Sequence, residues 1–263
     1  MNRIEKLFAE KQNDILNIYF TAGYPTLDST PTVIKSLTAA GVDLIEVGMP
    51  YSDPLADGPT IQESGMAALK NGMTLEILFD QLQQVRKECE VPLVMMGYFN
   101  QMMQYGEERF LEACKAAEID ALILPDLPMD VYEREYKSLF EQYQIPIVFL
   151  ITPQTSEDRI RKIDELSNGF IYMVSNNSIT GAKSGISEMQ MDYFNRINAM
   201  QLRNPRLIGF GISNYATYRT ACDYSNGAII GSAFIKTIGK ATQLEQSIHE
   251  FVQMVRGELT VSS

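Results

Sequence analysis

Eight short apolar runs recur along the chain, each bounded by Gly, Pro, Asp or Asn, and helical patterns separate them. The runs are Ile15–Thr21, Val42–Gly48, Val91–Gly97, Asp120–Pro125, Ile145–Thr152, Gly169–Ser175, Arg206–Gly211 and Ala228–Gly231. Near-continuous apolar character marks strands covered on both faces, as in parallel sheets. Between them the period changes. Thr74–Val85 sets Leu75, Leu78, Phe79, Leu82 and Val85 on one helical face, and Glu107–Ala117 does so with Phe110, Leu111, Cys114 and Ala117. Tyr132–Tyr143 and Glu157–Leu166 follow the same rule. Strands alternating with helices every roughly 25–35 residues imply βαβ units with right-handed crossovers. Eight such units in 263 residues predict an α/β fold, a closed (β/α)8 TIM barrel over residues 1–263 as one domain, with an N-terminal helix ahead of the first strand. A doubly wound sheet is the structural alternative.

One interval is too long for a plain unit. From Gly48 to Val91 the chain holds a Pro/Gly-rich loop, an extra helix over Thr60–Asn71, and the regular crossover helix. The loop after a barrel strand lies on the face where catalytic groups sit. Glu46 stands near the end of the second strand, and Asp57 lies on the loop that follows. A buried, unpaired carboxylate is costly, so it is protonated, paired with a cation or used in chemistry. No Lys or Arg stands between Lys35 and Lys70 to neutralise Glu46 locally. A cation reaching across the core and a catalytic role both stay open at this point.

Composition narrows the chemistry. Lys+Arg 22 against Asp+Glu 33 gives a net charge of −11, which argues against nucleic acid or an anionic membrane as partner. An anionic substrate is still compatible, because backbone N–H groups can build a local phosphate site. Cys89, Cys114 and Cys222 have neither zinc nor redox spacing and read as core-facing thiols on helices in a reducing compartment. No apolar run approaches the roughly 18 residues needed to span a bilayer, and the charged, amphipathic start is unlike a signal peptide, so a cytoplasmic location is expected. His249, the single histidine, falls in a helical pattern near the C-terminus, which excludes a His-based metal centre or triad. The catalytic menu narrows to carboxylates, tyrosines and lysines, and none of the eight runs contains Lys.

Two late turns look built for an anion. Gly209-Phe210-Gly211-Ile212-Ser213 and Ile230-Gly231-Ser232-Ala233-Phe234 each end an apolar strand in Gly and open a helix near a Ser. Glycine lets backbone approach a ligand, and a helix start offers free N–H donors. Two such turns after the seventh and eighth strands form the phosphate cup common in these barrels. Thr180-Gly181-Ala182, after the sixth strand, could close it.

The segment Glu46-Val47-Gly48-Met49-Pro50-Tyr51-Ser52-Asp53-Pro54-Leu55-Ala56-Asp57-Gly58-Pro59-Thr60-Ile61-Gln62 resembles the tryptophan synthase α-subunit family nearly position for position. The resemblance covers the whole chain, including Phe20-Thr21-Ala22-Gly23-Tyr24-Pro25, Pro125-Asp126-Leu127-Pro128 and Ile179-Thr180-Gly181-Ala182. It implies a barrel enzyme that cleaves indole-3-glycerol phosphate to indole and glyceraldehyde 3-phosphate. It also implies a β-subunit partner holding pyridoxal phosphate in an α2β2-type complex, with no cofactor in this chain. By the same resemblance Glu46 and Asp57 are the acid/base pair, supported by Tyr172. Gly181, Gly211, Gly231 and Ser232 hold phosphate. Tyr19, Phe210 and Ile229 surround the indole, with Thr180 on the mobile loop.

The sequence departs from the family pattern after the sixth strand, where Asn176 stands without the Arg and Ser178 replaces a Gly. Tyr19 stands where familiar members have Phe. The loops Pro50–Pro59, Asn100–Met103 and Pro125–Met129 are candidates for partner contact. Asp57, on a polar loop, is expected to stay ionised while Glu46, in an apolar strand, has a raised pKa. Two rivals remain at this level: a sugar-phosphate isomerase or epimerase sharing the glycine cup, and a binding subunit that keeps the fold without turnover.

Overall fold

The computed structural model describes residues 2–55, 57–174, 187–209 and 211–258. Its eight strands are β1 (Ile15–Thr21), β2 (Leu44–Gly48), β3 (Leu93–Met96), β4 (Ala121–Ile123), β5 (Leu150–Ile151), β6 (Ile171–Val174), β7 (Arg206–Gly209) and β8 (Gly227–Ile230). They form one parallel sheet in the order β4-β3-β2-β1-β8-β7-β6-β5. First and last strands pair directly, Ile15 against Gly227 through Ile18 against Ile230, which a doubly wound sheet does not do. The seam between β4 and β5 is joined by a parallel bridge from Leu122 to Ile147, with Val148 N–H donating to Leu122. This is the TIM barrel expected from the alternation of runs.

Period-two alternation divides the strand side chains between two cores. Ile15, Leu44, Val94, Ala121, Ile123, Val148, Phe170, Leu207 and Ile229 cluster in one, the barrel interior. Their neighbours along the same strands, among them Leu16, Ile18, Phe20, Ile45 and Val47, face the surrounding helices in the other. Helix Arg3–Glu10 closes the bottom of the interior with Ile4, while Phe8 packs 6.3 Å from Phe170. Its start is fixed by a reciprocal cap, in which Asn2 Oδ1 accepts from Glu5 N–H and Glu5 accepts from Asn2 N–H.

Beside the strand starts, Arg86 donates to the carbonyls of Cys89, Val91 and Glu118 and to Asp120 Oδ2 at 3.0 Å. Asp120 also accepts from the Leu93 N–H. Both side chains are buried, and their bonds hold the turns entering β3 and β4 together.

The extra helix is present, Pro59–Lys70, and the crossover helix Leu75–Arg86 follows it with Thr74 as a side-chain cap. Several expectations need correction. Asn100–Met103 is not a loop but part of helix Phe99–Tyr105. The run Ile145–Thr152 yields only two ladder residues, because Pro146 has no N–H to donate and pairing there reduces to the single bridge. The Tyr132–Tyr143 helix is split into a π-helical turn, Tyr132–Tyr136, and an α-helix, Lys137–Tyr143. Cys89 is buried but lies beyond its helix, and Cys222 is only half-buried. Among the described residues no helix is long and apolar enough to cross a membrane, and no cluster of His, Cys, Asp or Glu could hold a metal.

Candidate active site

The alternation that sends Ile18 and Phe20 outward sends Asn17 and Tyr19 inward, and the β1–β2 register sets Tyr19 opposite Glu46. Glu46 and Asn17 are both fully buried. The Asn17 Nδ2 donates to Glu46 Oε1 at 2.6 Å. Among the described residues Glu46 Oε2 and Asn17 Oδ1 have no hydrogen-bond partner, and no ion pair involves Glu46. The distant cation left open by the sequence is therefore not found there. Burial pushes the Glu46 carboxyl up to about 8, against the opposing pull of the Asn17 hydrogen bond. At neutral pH it is mainly the neutral acid.

Asp57 is half-buried on the loop after β2. Its Oδ2 accepts from the Tyr98 hydroxyl at 3.0 Å, and its carbonyl accepts from Gln62 Nε2 at 2.8 Å, tying the loop to the extra helix. Tyr98 in turn packs 5.0 Å from Tyr51, whose hydroxyl accepts from Asn100 Nδ2 at 2.7 Å. A further tether joins the extra helix to β1, Thr21 Oγ1 to Ser64 Oγ at 2.6 Å. Burial raises the Asp57 pKa while the Tyr98 hydrogen bond opposes it. The two carboxyls are thus shifted in the same direction, not in the divergent sense expected from a polar loop.

Two tyrosines lie close to the carboxyls. Tyr19 leans over Gly48 of β2 and Tyr172 over Gly209 of β7, so closely that a Cβ on either glycine would overlap the phenol. Burial holds both phenols protonated, and ionisation of Glu46 or Asp57 would push both rings further the same way. The four groups therefore form one electrostatic neighbourhood.

Above it opens a cavity of about 640 Å³. Its lining includes Tyr19, Ile61, Met96, Tyr172, Val174 and Ile229, together with Gly58, Gly211, Ser213, Gly231, Ser232 and Lys236; Glu46 and Asp57 lie behind this lining, not in it. Gly211 adopts a φ of +49°, and Gly231 caps helix Ser232–Ile238. Tyr19, Tyr172, Ile229, Gly211, Gly231 and Ser232, all anticipated from sequence, meet in this one cavity. Thr180, Gly181 and Phe210 lie outside the described residues, as do Asn176 and Ser178.

Four neighbours were missed. Asn17 interrupts an apolar run as Glu46 does, and that signal was available. Lys236 follows Ser232 by four residues, which puts both on one helix face. Ser213 belongs to the quoted Gly-rich turn without having been singled out. Tyr98 carried no local signal.

A family profile described as tryptophan synthase alpha chain matches residues 5–262. The chain belongs to the tryptophan synthase alpha chain family. The Flavobacterium johnsoniae tryptophan synthase alpha chain is 56% identical over 97% of this chain and 100% of its own length. That of Parabacteroides distasonis is 47% identical over the same shares. Among solved structures, the Pyrococcus furiosus tryptophan synthase a2b2 complex has a chain that superposes with a TM-score of 0.87 at 33% identity, covering 94% of this chain and 99% of that one. As a member of this family the protein is a lyase of tryptophan biosynthesis, cleaving indole-3-glycerol phosphate to indole and glyceraldehyde 3-phosphate.

Proposed function

We propose that Glu46 and Asp57 are the acid/base pair of this cleavage, and that the cavity above Tyr19 and Tyr172 receives the substrate. The bond to be broken joins C3 of the indole to the hydroxyl-bearing carbon of the side chain, and an aromatic carbanion is a poor leaving group. Protonation at C3 turns the ring into an electron sink. The neutral Glu46 carboxyl supplies that proton. The resulting carboxylate then takes the proton of the side-chain hydroxyl as the carbon–carbon bond breaks. The bond's electron pair returns to the ring, giving indole, and the hydroxyl carbon becomes the aldehyde of glyceraldehyde 3-phosphate. Asp57, ionised, stabilises positive charge beside the indole N–H. The carrying observation is a fully buried carboxyl beside the tyrosines of the cavity, its pKa raised by burial and one of its oxygens without a partner among the described residues.

The rest of the cavity fits the remaining parts of the substrate. Gly211, Gly231 and Ser232, with Gly181, would cradle the phosphate through backbone N–H groups and the Ser232 hydroxyl. Tyr19, Tyr172 and Ile229 would flank the indole, and the resemblance assigns Phe210 and Thr180 to the same part of the substrate.

The partner would be a β subunit in an α2β2-type complex, and it would carry the pyridoxal phosphate that joins indole to serine. Two of the three segments expected to face it carry exposed apolar side chains, Leu55 at 86% and Met103 at 45% exposure. Cytoplasmic work of this kind agrees with the cysteine usage. Indole release by the purified chain, with and without a β subunit, tests the proposal. Release that rises strongly on adding the partner supports it. No release in either condition removes the assignment of this cavity, and unchanged release on adding the partner removes the complex.

A further inference from the structure

We infer that Asn17 is a positioning residue for the cleavage: its amide pins Oε1 of Glu46, and so leaves Oε2 as the oxygen that exchanges a proton with the substrate. The inference rests on the reading of Glu46 as the catalytic acid. It begins with an asymmetry between the two carboxyl oxygens. Oε1 accepts from Asn17 Nδ2 at 2.6 Å, whereas Oε2 is buried with no partner among the described residues. An oxygen already accepting a short N–H bond behaves as the carbonyl oxygen of the neutral acid, so the acidic hydrogen resides on Oε2. An unpaired O–H inside a barrel costs roughly 1–3 kcal/mol. Such a cost is retained where a ligand will supply the missing acceptor.

The position reinforces this. Asn17 is fully buried in a strand whose other inward side chains are Ile15, Tyr19 and Thr21, and its own Oδ1 has no partner among the described residues either. An apolar residue of similar size would fill the space without leaving a buried acceptor unsatisfied. The amide is explained by what it does to the carboxyl. It removes the freedom of the Glu46 side chain to swing, and it favours the carboxylate that must form after proton transfer. Among the described residues the titratable groups interacting with Glu46 are Tyr19 on β1 and Tyr172 on β6, neither of them cationic.

The test uses Asn17→Val in the complete chain, assayed with its partner. Loss of the amide should lower kcat about 10- to 100-fold, the range for a hydrogen bond to a charged group, with KM for indole-3-glycerol phosphate little changed. Because the bond favours the carboxylate, its loss should also move the alkaline limb of kcat to higher pH. An independent readout needs no turnover. The infrared C=O band of the protonated carboxyl, assigned by its disappearance in Glu46→Gln, should shift to higher frequency in Asn17→Val. If Asn17→Val does not fold, Asn17→Ser, too short to reach Oε1, should give the same shift.

An unmoved band and an unmoved alkaline limb overturn the inference, whatever happens to stability. Near-normal cleavage by Glu46→Gln removes instead the reading of Glu46 itself. Abolished cleavage in Glu46→Gln with an unmoved band in the Asn17 variant removes only the role of Asn17.

Discussion

The Tyr98 hydroxyl donates to Asp57 Oδ2 at 3.0 Å, from the turn after β3 to the loop after β2. That bond places the second carboxyl and favours its charged form while burial works against it. In Tyr98→Phe the opposing pull is lost and the Asp57 pKa rises. If ionised Asp57 is needed, the acid limb of the pH–rate profile moves to higher pH, and turnover at neutral pH falls about 10-fold. A profile superposing on the parent's would show that Tyr98 does not tune Asp57.

Glu46 also costs stability. Its pKa is 4.5 in the unfolded reference and about 8 in the fold. Between those values the native chain keeps a proton that the unfolded chain has lost, so the stability of the native state falls as pH rises through the window. The slope is at most about 1.4 kcal/mol per pH unit. Glu46→Gln, neutral in both states, escapes this. Its denaturant midpoint should exceed the parent's near pH 8 and match it near pH 4.5, and equal midpoints at both would mean that Glu46 is not held neutral.

Gly209 has to be a glycine because Tyr172 lies across it. In Gly209→Ala the ring must shift off the cavity wall, costing about 1–3 kcal/mol of stability as overpacking does. Cleavage should drop at least about 10-fold, since the phenol flanks the proposed indole site. Gly48→Ala should do the same through Tyr19. Steady-state kinetics at a temperature where both variants are folded measures the effect.

Arg86 and Asp120 give a prediction about stability alone. They pair at 3.0 Å with both side chains buried, beside the strand starts and away from the cavity. Removing Arg86 leaves Asp120 only the longer contact to Arg3 at 3.5 Å, so Arg86→Met should cost about 3 kcal/mol, the low end for breaking a buried pair. Indole release per folded molecule should stay near the parent value in a melt-controlled assay.

How much of this the sequence disclosed depends on range. The first strand was legible from residue 15 to 21 because its seven residues are all buried and bounded by polar or turn residues. Glu46 was legible because a carboxylate in such a run has few alternatives. The helix Phe99–Tyr105 was not, since its start uses Gln101 Oε1 accepting from Tyr98 N–H in place of a Ser, Thr or Asp cap. The shortness of β5 follows from one proline whose effect depends on its neighbour across the seam. Tyr98 reaches the site only through tertiary packing, over a distance that no periodicity records, whereas Lys236 was readable from its four-residue spacing to Ser232. Asp57 was located correctly, but its burial, and hence the direction of its pKa shift, depends on Tyr98 packing from another unit of the barrel.

Single-turnover cleavage of indole-3-glycerol phosphate by Glu46→Gln, with the β subunit present and Asp57→Asn measured alongside, tests the central claim most directly. General acid–base roles are worth about 10²-fold or more each. We expect each variant to lose at least that factor while still binding a non-cleavable phosphate analogue, and near-parental indole release from Glu46→Gln would contradict the assignment of Glu46 as the proton donor.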